Sequence, residues 1–394
     1  MKRIIIIAAS LLWGAALFAQ QALGPGTGIV SPEINADNTV TFRYYNPKAV
    51  TVQISGDFLP TQPIKYVRDG KEMVYEAPGR ADLKEMNGLW TFTSAPLEGE
   101  LYSYTLYVDG QKMMDPSNIY QNRDIATWTN IFTMSTEEGD KGWYYQVNNV
   151  PHGNVSKVWY DSPTLGMQRR MTVYTPAGYE TNKKAKYPVL YLLHGAGGDE
   201  EAWSSMGRTA QILDNLIEKG LAKPMIVVMP NGNGNQPAAQ TYGLPNAEMD
   251  WRDPATRNNY VKSLVEEIVP FIEKNYRVVA KKSHRAIAGL SMGGGHTISA
   301  SGMYPGTFDY ICPLSMGAQR TPELDAQLQG IKKAGYKLYW LACGNTDFLF
   351  ENANELDKAL TANGLEHTYY VSEGGHVWAN WRLYLNTFAP LLFK

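Results

Sequence analysis

The chain is 394 residues long, with 36 Lys and Arg against 38 Asp and Glu and a formal net charge of −2. That length exceeds one ordinary domain, and the near-neutral balance speaks against a nucleic-acid partner. The 2 cysteines lack the His or second-Cys spacing of a metal site, so no metal or other cofactor is expected.

The chain opens on Met1-Lys-Arg, followed by an apolar run from Ile4 to Phe18 and then Ala19-Gln-Gln. This reads as a signal peptide over residues 1–19. The apolar core is too short to span a bilayer, and a polar, Gly- and Pro-rich stretch follows at once. No Cys directly follows the core, so a lipoprotein anchor is not indicated, and no other long apolar run exists. The expectation is a periplasmic or secreted protein with no membrane insertion. Over residues 25–140 the pattern is one of short alternating runs: Thr39–Tyr45, Ala49–Ser55, Gly88–Thr93 and Leu101–Val108, with Asp109-Gly110 as a turn. Such spacing without a helical stretch predicts an all-β sandwich. Residues 141–154 read as a linker. From residue 155 to residue 394 strands alternate with helices, which predicts an α/β fold with a mostly parallel sheet and helices on both faces.

Within this second part, Tyr187–Leu193 is a continuous apolar run, as a buried strand requires, and it leads into His194-Gly-Ala-Gly-Gly198. Small residues there let backbone approach a substrate carbonyl closely. The N–H of Gly195 or of Ala196 is the expected oxyanion donor, and His194 is read as holding the loop through hydrogen bonds. Trp203 follows the loop. After the strand Met225–Met229 comes a long insertion, Asn231–Pro254, containing Trp251. Its Asn231-Gly-Asn-Gly-Asn235 lacks the helix and Lys of a phosphate loop and reads as a mobile lid. Tyr260–Ile272 has apolar residues at helical spacing.

The most informative stretch is Gly289-Leu290-Ser291-Met292-Gly293. A G-x-S-x-G sequence after an apolar strand and before small residues fits a nucleophile elbow. The serine sits on a tight strand-to-helix turn, with its Oγ exposed and the next N–H, that of Met292, aimed at a developing oxyanion. In this architecture the partners follow as acid and then histidine. Of the histidines after Ser291, His296 is too near in sequence to swing back and His367 begins a strand. His376 lies on a Gly-rich loop past that strand and is the expected base. The acid belongs on the loop after Lys337–Cys343, which carries Asp347; Asp309, Asp325 and Glu373 are the rivals. Asp309 precedes its strand, Asp325 starts an amphipathic helix, and Glu373 is too near His376. Cys312 and Cys343 both lie in buried strands and read as two packed thiols, although export permits a disulfide.

Residues 155–394 resemble the esterase-D-like enzymes of carbohydrate esterase family 1, through Met171–Tyr179, Leu192–Gly198, Gly289–Gly294, Cys343–Asp347 and Gly374–Trp378 with Trp381-Arg382. The resemblance implies the α/β-hydrolase fold and a triad of Ser291, Asp347 and His376. The first part resembles a glycogen-binding type of carbohydrate-binding module, an early-set immunoglobulin-like sandwich, through Val52–Phe58, Gly88–Trp90, Tyr102–Tyr104, Val108–Gly110 and Asp115-Pro116.

Aromatic residues near the motifs point to a planar, sugar-linked acyl group. Trp378, Trp203 and Trp251 are expected to contact substrate. The reading is a secreted serine esterase acting on feruloylated or acetylated xylan or its oligosaccharides, with feruloyl esterase first. Acetyl xylan esterase and siderophore esterase stay open. So does a glycan-binding protein with an inactive hydrolase domain, against which the intact Ser, His and Asp weigh.

Overall fold

The computed structural model describes residues 28–68, 70–124, 127–239 and 254–394. The expected signal peptide and Trp251 lie outside the described residues.

Residues 33–134 form two antiparallel sheets and a separate hairpin. One sheet has the strand order Glu33–Ile34, Val40–Tyr45, Leu89–Thr93, Lys84–Met86. The other runs Gln121–Asp124, Thr127–Met134, Glu100–Val108, Val52–Gly56, Arg80–Asp82, with Gln111–Met113 paired onto Glu100–Val108. Successive side chains on a strand point to opposite faces. Val40 and Phe42 of the first sheet therefore meet Val52, Ile54, Tyr104 and Leu106 of the second in one apolar cluster. Asp109 and Gly110 have φ of 49° and 81°, as a tight two-residue hairpin demands. The separate hairpin, Gln62–Arg68 with Lys71–Ala77, was not legible in the pattern: Ile64, Val67 and Val74 are exposed, so neither of its faces is marked by burial.

Residues 141–154 are not a free connector. Asp140 accepts the Trp143 N–H at 2.6 Å and caps a helix over Lys141–Tyr145. Tyr145 is fully buried, and a Cβ on Gly142 would lie 1.6 Å from the Met134 carbonyl oxygen. A short aromatic segment between the two parts thus packs as part of the core.

The remainder is built on an eight-stranded sheet in the order Asn154–Ser162, Met167–Thr175, Ile226–Pro230, Val189–Leu193, Arg285–Leu290, Tyr310–Leu314, Leu338–Gly344, Thr368–Ser372. The first two strand pairings are antiparallel and the others parallel. The central parallel strands are buried on both faces, which is why they read as unbroken apolar runs. Their carboxyl ends share one edge, and the loops bearing His194, Ser291, Asp347 and His376 leave from it. The helix read over Tyr260–Ile272 is helical but irregular. Pro254–Ser263 passes through a π turn at Leu264–Ile268 into Val269–Asn275. Val269 N–H reaches back to the Leu264 carbonyl, next to Pro270, which has no N–H to give. Cys312 and Cys343 are free, buried thiols on adjacent strands. Among the described residues no helix is long and apolar enough to cross a membrane.

Candidate active site

Ser291 follows the buried strand Arg285–Leu290 and directly precedes the helix Met292–Met303. Its backbone is at φ 51°, ψ −118°, a region that costs a non-glycine residue roughly 1–3 kcal/mol. The surroundings over-determine it. Ser291 N–H donates to Leu314 O at 2.9 Å, and Ser291 O accepts from Gly295 N–H at 3.0 Å. A Cβ on Gly289 would lie 2.4 Å from Gly293 O, and one on Gly293 would lie 2.6 Å from both Leu193 O and His194 O. The two glycines let three backbone segments converge on the serine, which stands at the positive end of a twelve-residue helix.

The loop His194–Gly198 lies against this turn. A Cβ on Gly195 would come within 2.5 Å of Leu290 Cδ1 and 3.2 Å of Ser291 Cβ. Gly195 is buried and Ala196 half-buried. His194 is 2% exposed. Its Nε2 accepts the Gly232 N–H at 2.7 Å, so its Nδ1–H is the donor to Gly195 O at 2.7 Å. Burial lowers its pKa below the ordinary histidine value and keeps the ring neutral in this role.

The start of the insertion does not behave as the lid expected from its sequence. Asn231 and Asn233 are buried. Arg169 Nη2 donates to both of their carbonyls at 2.7 Å. Asn231 Nδ2 donates to Glu200 Oε2 at 2.9 Å, and Asn233 Nδ2 donates to Gly198 O at 2.8 Å. Ala239 N–H donates to Glu200 at 2.8 Å. Glu200 also holds Arg170 Nε at 2.6 Å, and burial raises its pKa. Asn231, Asn233 and Gln236 are spent on satisfying buried groups, so they form a fixed floor under the His194 loop.

Asp347 is 5% exposed, on the loop after Leu338–Gly344. Its Oδ2 and Oδ1 lie 2.9 and 3.0 Å from His376 Nδ1, and Oδ1 accepts Leu349 N–H at 2.9 Å. Burial pushes its pKa up, but the hydrogen bond and charge of His376, with the Leu349 N–H, outweigh that and leave it lowered. The rival carboxylates are engaged elsewhere. Asp309 pairs with Lys282 at 3.1 Å. Asp325 pairs with Arg320 at 3.0 Å and Asn363 at 2.6 Å. Glu373 is exposed. His367 holds Asp357 at 2.9 Å, and His296 is buried with its ring 4.6 Å from that of Tyr260.

The tryptophans separate. Trp378 is half-buried at the head of the helix Trp378–Phe388. Trp203, expected to contact substrate, is 1% exposed and presents no free face. Its Nε1 donates to Leu193 O at 2.9 Å, and its ring packs edge-on against Trp378 at 5.4 Å. An indole whose N–H is spent on the central strand supports the site from below. Two further aromatic rings flank His376: Trp381, part of the resemblance noted in the sequence, and Phe348, which the sequence reading missed. Trp381 is 6% exposed, meets the imidazole edge-on at 4.9 Å and donates to Ser315 Oγ at 3.0 Å. Phe348 is 74% exposed, with its ring 4.4 Å from His376. A large apolar residue directly after the expected acid was the available signal for it.

Residues 162–391 match the profile of the family described as "Putative esterase". An endo-1,4-beta-xylanase/feruloyl esterase of Xylanibacter ruminicola is 33% identical over 316 residues, which cover 79% of this chain and 41% of that protein. The chain thus spans less than half the length of that relative. Among solved structures, a ferulic acid esterase has a TM-score of 0.51 at 29% identity, covering 61% of this chain and 98% of its own. A CE1 ferulic acid esterase of Anaeromyces mucronatus has 0.52 at 26%, with 63% and 93% covered. The enterobactin esterase of Shigella flexneri has 0.58 at 16%, with 90% and 92% covered; at that identity the likeness is one of fold alone.

Proposed function

The chain belongs to this esterase family, and from that premise we propose that it is a secreted serine esterase of plant cell-wall carbohydrate, a feruloyl esterase acting on arabinoxylan. The observation that carries the chemistry is the hydrogen-bonded Asp347–His376 pair, on the sheet edge that holds the strained Ser291 turn. Ser291 Oγ attacks the ester carbonyl. His376 Nε2 takes its proton and returns it to the departing sugar hydroxyl, while Asp347 holds Nδ1–H and fixes the tautomer. The N–H of Met292 and that of Gly195 or Ala196 receive the oxyanion; one such donor contributes roughly 10²–10³-fold to turnover. A water activated by His376 then releases the acyl group.

The acyl group and glycan are inferred from two supports. Relatives bear the names of feruloyl esterases and a xylanase. Phe348 and Trp378 place aromatic surface beside His376, suited to a phenolic ring. Residues 155–394 form the esterase unit in this reading. Residues 25–140 form an immunoglobulin-like module resembling carbohydrate-binding modules, whose role is to wall the cleft.

The purified protein should release ferulate from methyl ferulate faster than acetate from acetylated xylan or products from a catecholate siderophore. Ser291→Ala should keep the fold and lose turnover by several orders of magnitude, and Asp347→Asn should lose about 10⁴-fold. Near-wild-type hydrolysis by Ser291→Ala would overturn the mechanism. Acetate release alone would move the substrate to acetylated xylan.

A further inference from the structure

Arg382 lies on the helix Trp378–Phe388, which begins two residues after His376. It is 3% exposed, and a guanidinium at that depth needs partners. All its donors point away from its own helix. Nε and Nη2 donate to Glu100 Oε1 at 3.2 and 3.0 Å, and Nη2 also donates to Leu101 O at 2.9 Å. Nη1 donates to Met206 O at 3.0 Å. The guanidinium carbon lies 5.3 Å from the centre of the Tyr145 ring. Glu100, Leu101 and Tyr145 belong to the N-terminal region. Met206 closes the short helix Ala202–Ser205, whose Trp203 is tied to the strand under the His194 loop. One side chain therefore clasps the His376-bearing helix to the N-terminal sheets and to the segment beneath the proposed oxyanion loop.

The connection to His376 runs through rigid neighbours. Trp381 packs edge-on against the imidazole and, at 5.1 Å, against Trp378. It is anchored on Ser315, whose N–H donates to Ala342 O at 2.7 Å. A shift of Arg382 moves Trp381 and with it the ring wall that sets the tilt of His376. Glu100 is the carboxylate bonded to the clasp. A second carboxylate, Asp57, adds its field at Arg382, but its oxygens accept Ser103 N–H at 2.9 and 3.1 Å.

We propose that Glu100 is a positioning residue for the active site: through Arg382 it fixes the helix after His376, so the N-terminal region sets the geometry of the catalytic base. The proposal rests on the serine-esterase reading. It assigns Glu100 no contact with substrate. Its effect belongs to proton transfer rather than to binding, because small misplacements of a catalytic group cost rate steeply.

The test compares Glu100→Gln, Arg382→Lys and, as a control at the same interface, Asn215→Ala. Asn215 Nδ2 donates to Trp143, Tyr144 and Gln146 carbonyls without touching Arg382. Each full-length variant is assayed for kcat and KM on methyl ferulate, for the rate of serine labelling by a fluorophosphonate, and for Tm. Glu100→Gln and Arg382→Lys should lower kcat and the labelling rate by about tenfold to a hundredfold, with KM within about twofold of wild type. Asn215→Ala should lower Tm with kcat nearly unchanged. Where Glu100→Gln does not fold, Glu100→Asp carries the same test, since it keeps the charge and withdraws the carboxylate by one methylene. Unchanged kcat in the Glu100 and Arg382 variants overturns the proposal. So does an equal loss of kcat in Asn215→Ala at equal loss of Tm. Failure of the parent reading shows itself separately, as undiminished turnover in Ser291→Ala.

Discussion

His194 illustrates how burial assigns a role to a single residue. Both ring nitrogens are committed, one as acceptor from Gly232 N–H and one as donor to Gly195 O, and protonation would destroy the acceptor. Its pKa is lowered by burial, so the folded state binds a proton less readily than the unfolded chain, whose histidine titrates near about 6.5. The stabilisation is therefore fully present above that pH and is lost as pH falls through the folded value. The stability of the wild type should decline on acidification below about pH 6.5, with a slope of at most about 1.4 kcal/mol per pH unit from this residue. His194→Gln should flatten that decline in urea unfolding measured from pH 7 to 5. It should leave the share due to His284, which burial and the charges of Lys337 and Lys281 also depress. An unchanged slope would mean that His194 is charged in the folded protein.

At the scale of the element, the helix Met292–Met303 opens with three glycines that are not equivalent. Gly293 is enclosed by backbone: an added Cβ would meet Leu193 and His194 carbonyl oxygens at 2.6 Å, and neither can swing aside. At Gly295 the nearest atom is Met316 Cε at 3.9 Å, an ordinary contact. Gly293→Ala should cost at least the roughly 1–3 kcal/mol of an overpacked core, and should displace Ser291 with it. Gly295→Ala should be neutral or stabilising by up to about 1 kcal/mol, the helical gain of Ala over Gly. Thermal melts of the two variants check this, and equal Tm values would refute the close-approach argument. The motif G-x-S-x-G thus marks where a helix start must touch a neighbouring strand.

For the molecule as a whole, the N-terminal sheets and the eight-stranded sheet share apolar core. Leu101, Ile131 and Tyr145 lie in one cluster with Trp203, Leu213 and Trp381. Polar ties cross the same boundary: Arg382 to Glu100, Arg208 Nε to Tyr145 O at 2.9 Å, and Asn215 to three carbonyls. Removing residues before Gly153 would expose that cluster to water and take Glu100, Leu101 and Tyr145 away from Arg382, so the apolar surface left bare is the larger loss. A chain starting at Gly153 should be poorly soluble, or melt well below the full protein, and hydrolyse methyl ferulate weakly. If it stays folded and fully active on methyl ferulate and fails only on insoluble arabinoxylan, the N-terminal region is a polymer binder and not a wall of the site.

What the sequence determined by itself is local or ordered along the chain. Period-two runs marked the N-terminal strands Val40–Tyr45, Val52–Gly56, Leu89–Thr93 and Glu100–Val108, and unbroken apolar runs marked the parallel ones. The G-x-S-x-G turn, together with the order in which acid and histidine follow it, pointed to Ser291, Asp347 and His376. Exposure was not legible, because it depends on what packs on top. The polar Asn231–Asn233 reads as part of a lid, yet it is buried over Glu200 and Arg169, while Trp203 reads as a sugar platform and lies beneath Trp378. The hairpin strands Gln62–Arg68 and Lys71–Ala77 carry apolar residues at both parities, and the helix at Lys141–Tyr145 is only five residues long, so neither showed a period. The clasp between Glu100 and Arg382 joins residues 282 positions apart. Nothing in either one's neighbourhood names the other, since a buried charge finds its counter-ion only when the strand of Glu100 and the helix of Arg382 pack together.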